Sequence, residues 1–333
     1  MLPSAPICIV VGIVFLISFL VAFFSVPVLI RKFKKAKITG KDVHKPGKPE
    51  IPEMGGLSIV AGLVSGVLCA VALSTLTSSQ MFNYPFILFS NLTALYAALT
   101  TILIIAIIGL FDDLVSLRHS VKMLLPIFAS VPLVAIAAGD PYVSVPFFGQ
   151  LYLPLIYPLI LIPLAVTVVS NLTNMLAGFN GLEAGLGIIA CASLGAIALE
   201  KGSIDAAILL FSMVGALLAF IWFNKYPARI FIGDVGTLSI GACIVSAVII
   251  GNFEMAGVVV MMPYILDFFI KAKTGFPREI AFTRLEKGKL FASKTVGLPS
   301  FIMRATNGIT ETRLVACIVG LEALCGAAAV VLF

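Results

Sequence analysis

A chain of 333 residues that is 60% hydrophobic and only 11% charged, with a mean hydropathy of +1.14, has too little polar surface to cover a soluble globule. Lipid is therefore its expected solvent. The net charge of +6 reads as membrane topology plus attraction for anionic partners, and no aromatic-basic motif marks a nucleic-acid surface.

A spanning helix needs about 20 apolar residues, because a core of roughly 30 Å is crossed at about 1.5 Å per residue and no water is present to satisfy the backbone. Ile7 to Ile30 is free of charge, and so is Met54 to Phe111, which the polar stretch Ser74 to Asn83 divides in two. Continuing along the chain predicts spans at 7–30, 56–76, 85–111, 122–139, 152–172, 183–200, 205–223, 235–251, 255–271 and 313–332. The fold class is thus an all-α integral membrane protein of about ten transmembrane helices, one polytopic domain over 1–333. The first span is too long for a signal-peptide core and lacks a small-residue cleavage site, so it is read as a mature helix. It stops at Arg31, Lys32, Lys34, Lys35 and Lys37.

Lys and Arg are retained on the cytoplasmic side, so alternate loops can be compared. Loop 31–55 holds eight, 112–122 two, 224–233 two and 271–313 nine of the 22 basic residues, leaving only Lys201 on the opposite side. Both termini are expected outside, with cytoplasmic loops at about 31–55, 112–122, 172–182, 224–234 and 272–312. The six cysteines lie within apolar spans and show no metal-type spacing.

In such a bundle the informative residues are the acids and amides that a membrane excludes. Asp112 and Asp113 end the third span; Asn171, Asn174, Asn180 and Glu183 follow the fifth; Asp234 precedes the eighth. All fall at the basic end. One such acid is ordinarily an N-cap or a solvated residue, but their convergence on one face points to chemistry. Asp112 and Asp113 are followed by Arg118 and Lys122, a set suited either to a structural salt bridge or to phosphoryl transfer, which needs negative oxygens neutralised and held in line. Hard oxygen donors suit Mg²⁺ or Mn²⁺, and the lack of a His/Cys cluster argues against zinc. Asn171 and Asn174 share a helix face, and Gly178 to Gly181 should break the helix and free backbone amides.

Gly109-Leu-Phe-Asp112-Asp113 with Lys122, Asn171-Leu-Thr-Asn174 through Gly181-Leu-Glu183, and Asn224-Lys-Tyr-Pro-Ala-Arg229-Ile-Phe231-Ile-Gly233-Asp234 stand in the order seen in a known family. The chain resembles the polyprenyl-phosphate N-acetylhexosamine-1-phosphate transferases, and within them the UDP-N-acetylglucosamine:dolichyl-phosphate branch, over nearly its whole length. The resemblance implies a ten-helix bundle with a cytoplasmic catalytic groove. It implies catalytic roles for Asp112, Asp113 and Lys122, with Asp112 either a base or an electrostatic partner of the lysine, and Mg²⁺ on Asn174 and Asp234. Lys122 and the segment holding Thr167, Ser170, Asn171, Leu172, Thr173, Asn174 and Met175 would lie beside the lipid phosphate. Lys41, Asp42, Val43, Glu53, Asn180 and Phe231 would hold the nucleotide sugar, with Arg278, Glu279 and Ile280 in the last loop.

Two departures stand out. Bacterial relatives carry a His-rich motif in the last loop, whereas this chain has only His44 and His119. The eukaryotic dolichol enzyme has an Arg-His-Arg triplet there, and the counterpart here is Pro277-Arg278-Glu279-Ile280; Arg278 and Glu279 either read the substrate or pair with each other. The compact length looks archaeal, which implies the cell membrane; a eukaryotic member would sit in the endoplasmic reticulum. The expected reaction is UDP-GlcNAc plus dolichyl phosphate giving GlcNAc-diphosphodolichol and UMP, or the same reaction with another UDP-N-acetylated sugar. Expected partners are those substrates, the bilayer and, as one arrangement, a second copy in a homodimer. The rival class is a secondary transporter, disfavoured because its acids would lie at the midplane of pseudo-symmetric halves.

Overall fold

The computed structural model describes residues 5–78, 89, 91–145, 149–277 and 279–333. In chain order these form α1 (Ala5–Ala36), β1 (Thr39–Lys41), β2 (Glu50–Pro52), α2 (Gly56–Ser78), α3 (Leu92–Val115), α4 (His119–Ala129), α5 (Val131–Ala135), β3 (Tyr142–Val145) and β4 (Gly149–Tyr152). A π-helical turn, Tyr157–Leu161, leads into α6 (Ile162–Met175), then α7 (Leu182–Glu200), α8 (Ile204–Asn224), α9 (Gly233–Gly251), α10 (Glu254–Val260), α11 (Met262–Thr274), β5 (Thr283–Glu286), β6 (Lys289–Ala292), α12 (Leu298–Ala305) and α13 (Glu311–Leu332). Eight helices among the described residues are long and apolar enough to cross a membrane. The protein is a multi-pass, all-α integral membrane protein.

Two of the ten predicted spans take another form. The span expected at 255–271 is broken at Met261, where α10 and α11 meet at a 62° bend. Pro263 in the first turn of α11 supplies no backbone N–H to continue the preceding helix. The span expected at 122–139 is a short apolar helix over 120–135, interrupted at Ser130 between Pro126 and Pro132. The first part of the third predicted span, 85–88, lies outside the described residues. Three two-stranded antiparallel hairpins, β1–β2, β3–β4 and β5–β6, stiffen the connections; their alternation is too short to register as strand in an apolar chain.

The hub of the bundle is α9, packed against α3, α6 and α8 and buried from Val235 to Ile249. The connections at 37–55 and 225–232 meet at one end, where Phe231 N–H donates to the Pro52 carbonyl (2.8 Å) and Gly55 N–H to the Phe231 carbonyl (2.8 Å), and Lys45 of the first pairs there with Glu311, just past the connection at 275–310. This is the end that carries the basic loops.

Candidate active site

The site begins where α3 lies on the first turn of α9. Gly109 permits the approach: a Cβ there would stand 2.6 Å from Val235 Cα and 2.7 Å from the Asp234 carbonyl. One helical turn later Asp113 reaches the free N–H groups of α9, accepting from Asp234 N–H at Oδ1 (2.8 Å) and from Val235 N–H at Oδ2 (3.1 Å). A carboxylate at a helix N-terminus satisfies orphan donors and complements the dipole. Gly233, at φ +71°, makes the turn into α9, and a Cβ there would meet Asp113 Oδ2 at 2.6 Å. Asp113 thus holds Asp234 in place.

Asp112 turns the other way. Its Oδ1 accepts from Leu117 N–H (2.9 Å), and its Oδ2 pairs with Lys122 Nζ, which also pairs with Asp234 Oδ2. The ammonium therefore bridges α3 and α9 from α4. The Asp112 side chain is 6% exposed, whereas Lys122 and Asp234 are 19% and 26% exposed, so this bridge opens toward solvent on the Asp234 side.

Beside it is a cavity of about 280 Å³, near the lower end of ordinary small-molecule sites, roughly 300 to 1,000 Å³. Of the residues singled out in the sequence, Lys41, Asp42, Val43, Glu53, Asp113, Asn174, Asn180, Phe231 and Asp234 all line it. They come from the β1–β2 loop, α3, the end of α6, the turn before α7 and the turn before α9. Burial, and then the Asp113 carboxylate, push the Glu53 carboxyl above its ordinary value.

The lipid-phosphate set is less convergent. Asn174 faces the cavity, but Asn171 Nδ2 donates to the carbonyls of Thr167 (2.8 Å) and Met123 (3.3 Å), and Thr167 Oγ1 to the Pro163 carbonyl (2.7 Å). Thr173 Oγ1 crosses to the Thr237 carbonyl (2.9 Å), Ser170 and Leu172 are buried, and Met175 is half-buried. Lys122 bonds elsewhere, to the two aspartates. In the last loop Glu279 Oε1 accepts from Ser300 N–H at the start of α12 (2.7 Å) and burial raises its carboxyl, an effect the Lys271 ammonium opposes. Arg278 and the side chain of Ile280 lie outside the described residues.

Several residues here were given no role from the sequence. His44 stacks on Phe179 with ring centroids 4.7 Å apart, both facing the cavity, and burial lowers the imidazole. Asn224 Oδ1 accepts from Gly181 N–H (3.1 Å) while its Nδ2 donates to the Ile230 carbonyl (2.9 Å), tying two turns of the site together. Glu183, noted among the one-sided acids, accepts from Gly178 N–H (2.7 Å). Lys45 and Glu311 form a buried ion pair across 266 residues. Only proximity across the sequence, invisible to local spacing, could have found that pair.

Comparison with known proteins places these elements in a family. The model of glycosyl transferase family 4 matches residues 94–252. A protein of Saccharolobus solfataricus, provisionally named UDP-N-acetylglucosamine–dolichyl-phosphate N-acetylglucosaminephosphotransferase, is 36% identical over 95% of each chain. A Dictyostelium discoideum protein of the same name is 26% identical over 92% of this chain and 84% of its own. A phospho-N-acetylmuramoyl-pentapeptide-transferase of Streptococcus pyogenes is 28% identical over 76% of each.

Proposed function

Because this chain belongs to glycosyl transferase family 4, we propose that it transfers N-acetylglucosamine-1-phosphate from UDP-N-acetylglucosamine to dolichyl phosphate or another polyprenyl phosphate, releasing UMP. The relatives' names supply the substrates. The observation that carries the chemistry is the Lys122 ammonium held between Asp112 and Asp234 at the edge of the cavity.

In the balanced step, an oxygen of the lipid phosphate bonds to the β-phosphorus while the bond from that phosphorus to the bridging oxygen breaks, and the electron pair leaves on UMP. The attacking oxygen is already anionic, so no covalent enzyme intermediate is needed and positioned charge carries the barrier reduction. Lys122 supplies a cation to the phosphate oxygens. Both Asp112 oxygens are engaged, one by Leu117 N–H and one by Lys122, which supports its reading as the lysine's electrostatic partner over that of a base. Asp113 acts through Asp234, whose backbone it fixes.

The residues present fit a hard divalent cation. Asn174 and Asp234 turn an amide and a carboxylate to one cavity, and hard oxygen donors of this kind are those Mg²⁺ favours. Mg²⁺ held there would neutralise the diphosphate and polarise the phosphorus under attack. The basic loops support placing this end on the cytoplasmic side, in the cell membrane of an archaeal source or the endoplasmic reticulum of a eukaryotic one.

The test is incubation of the purified protein with labelled UDP-GlcNAc, dolichyl phosphate and Mg²⁺. UMP and a labelled lipid should form together, and EDTA should stop both. UMP release that ignores the lipid acceptor, or no release at all, refutes the assignment.

A further inference from the structure

Behind the cavity wall is a closed ring of four residues from three distant parts of the chain, joined through their side chains and the Asn180 backbone N–H. Lys45 Nζ pairs with Glu311 Oε2 on the first turn of α13 and with Asp42 Oδ2 (3.3 Å). Asp42 Oδ2 also accepts from Asn180 Nδ2 (3.0 Å), and Glu311 Oε1 accepts from Asn180 N–H (2.8 Å). The ring is buried: Lys45 is 8% exposed, and Asp42, Asn180 and Glu311 are buried as well. Lys45 Nζ also lies 4.3 Å from the centroid of the Tyr226 ring. Asp42 and Asn180 line the cavity, whereas Lys45 and Glu311 do not.

We propose that Lys45 and Glu311 are positioning residues that latch the β1–β2 loop onto the turn before α7, and so set the affinity of the nucleotide-sugar side of the site. The inference rests on the transferase reading above and adds to it residues beyond the 94–252 family match. The physical case is one of compensation. A charge taken out of water persists only when paired and hydrogen-bonded, and here one lysine balances two carboxylates that both hold Asn180. Removing the lysine leaves Asp42 and Glu311 facing each other across Asn180 without a counter-ion. Their repulsion separates the loop that carries Asp42, Val43 and His44 from the turn that carries Phe179 and Asn180, and the His44–Phe179 stack between them opens. The Lys122 cluster is anchored independently, by the first turn of α9, so the transfer step itself is spared.

The latch predicts a split between KM and kcat. In the full-length protein, Lys45→Met should raise KM for UDP-GlcNAc on the order of ten-fold with kcat within about two-fold, and Lys45→Arg should recover most of the affinity. Glu311→Gln keeps an acceptor for Asn180 N–H while removing the charge, so its KM should rise less. The double variant Lys45→Met/Glu311→Gln removes both charges and keeps the comparison usable if the single lysine variant folds poorly. Binding of UMP, measured without lipid acceptor, should weaken in parallel with KM. Lys45→Met and the double variant with wild-type KM and UMP affinity would overturn the latch, as would a fall confined to kcat. A wild-type protein that binds neither UMP nor UDP-GlcNAc would instead sink the transferase reading.

Discussion

Lys122 and Lys271 are both paired with aspartates, and their surroundings give them opposite characters. Lys122 bridges Asp112 and Asp234 at a partly open edge of the cavity. Lys271 pairs with Asp267 (2.7 Å), whose side chain is fully buried, and donates to the Met175 carbonyl at the end of α6. Asp267 Oδ1 accepts from Leu298 N–H (2.7 Å), and nearby Glu279 from Ser300 N–H. Both N–H groups belong to the start of α12, where free donors need partners. The Lys271 cluster is joinery between α6, α11 and α12. The Lys122 cluster keeps one of its charges, Asp234, on the wall of an open cavity. A lysine paired with an aspartate is therefore not in itself a functional signature; access to the charged atoms separates the two.

The sharpest way to break this comparison is to remove the open carboxylate. Asp234→Ala and Asn174→Ala should each cut kcat/KM on the order of 10²-fold or more, with melting temperature nearly unchanged because both side chains border the cavity. Near-normal turnover at limiting Mg²⁺ in either variant would contradict their proposed roles as ligands.

Next comes the frame that aims Asp234. Gly109→Ala removes no polar side chain, yet its methyl would collide with the backbone of Asp234 and Val235. Displacements of about 1 Å at a reacting centre cost on the order of 10²-fold, so a loss of roughly ten- to a hundred-fold in kcat is expected. Asp113→Ala should lower kcat in the same direction by loosening the first turn of α9. Full kcat in Gly109→Ala would show that the α3–α9 approach is not what places the carboxylate.

The buried cluster should respond the other way. Lys271→Met strands Asp267 and should destabilise the fold by roughly 3 to 5 kcal/mol, while the folded fraction keeps kcat/KM within a few-fold. Glu279→Ala should likewise lower the melting temperature and leave the choice between UDP-GlcNAc and UDP-GalNAc unchanged. A changed sugar preference in Glu279→Ala would move that residue from joinery to recognition.

The smallest effect concerns Glu53. Burial and then Asp113 hold its carboxyl above the ordinary 4.5, so the folded protein binds this proton more tightly than the unfolded chain. That contribution to stability is full below the unfolded value and is lost as pH rises through the folded one. Glu53→Gln, neutral throughout, should therefore flatten this part of the melting profile above about pH 4.5. An unchanged slope would show that Glu53 is not held above its ordinary value.

The sequence by itself determined the membrane class, eight of the ten spans and the end of the bundle where the acids and amides gather. Hydrocarbon demands long uncharged helices, and the Lys/Arg bias of alternate loops survives as one-dimensional pattern. It also marked Asp112, Asp113, Lys122, Asn174 and Asp234, because acids and amides at helix ends are rare in such a chain. Only the tertiary structure decided what each acid does. Adjacent Asp112 and Asp113 read alike in sequence, yet one binds a lysine and the other caps a helix, since their side chains leave α3 in different directions toward different neighbours. The same holds for the break at Met261 and for Lys45 with Glu311. Those depend on which helix ends the packing brings together, and the free energy of a buried charge is set by neighbours in space.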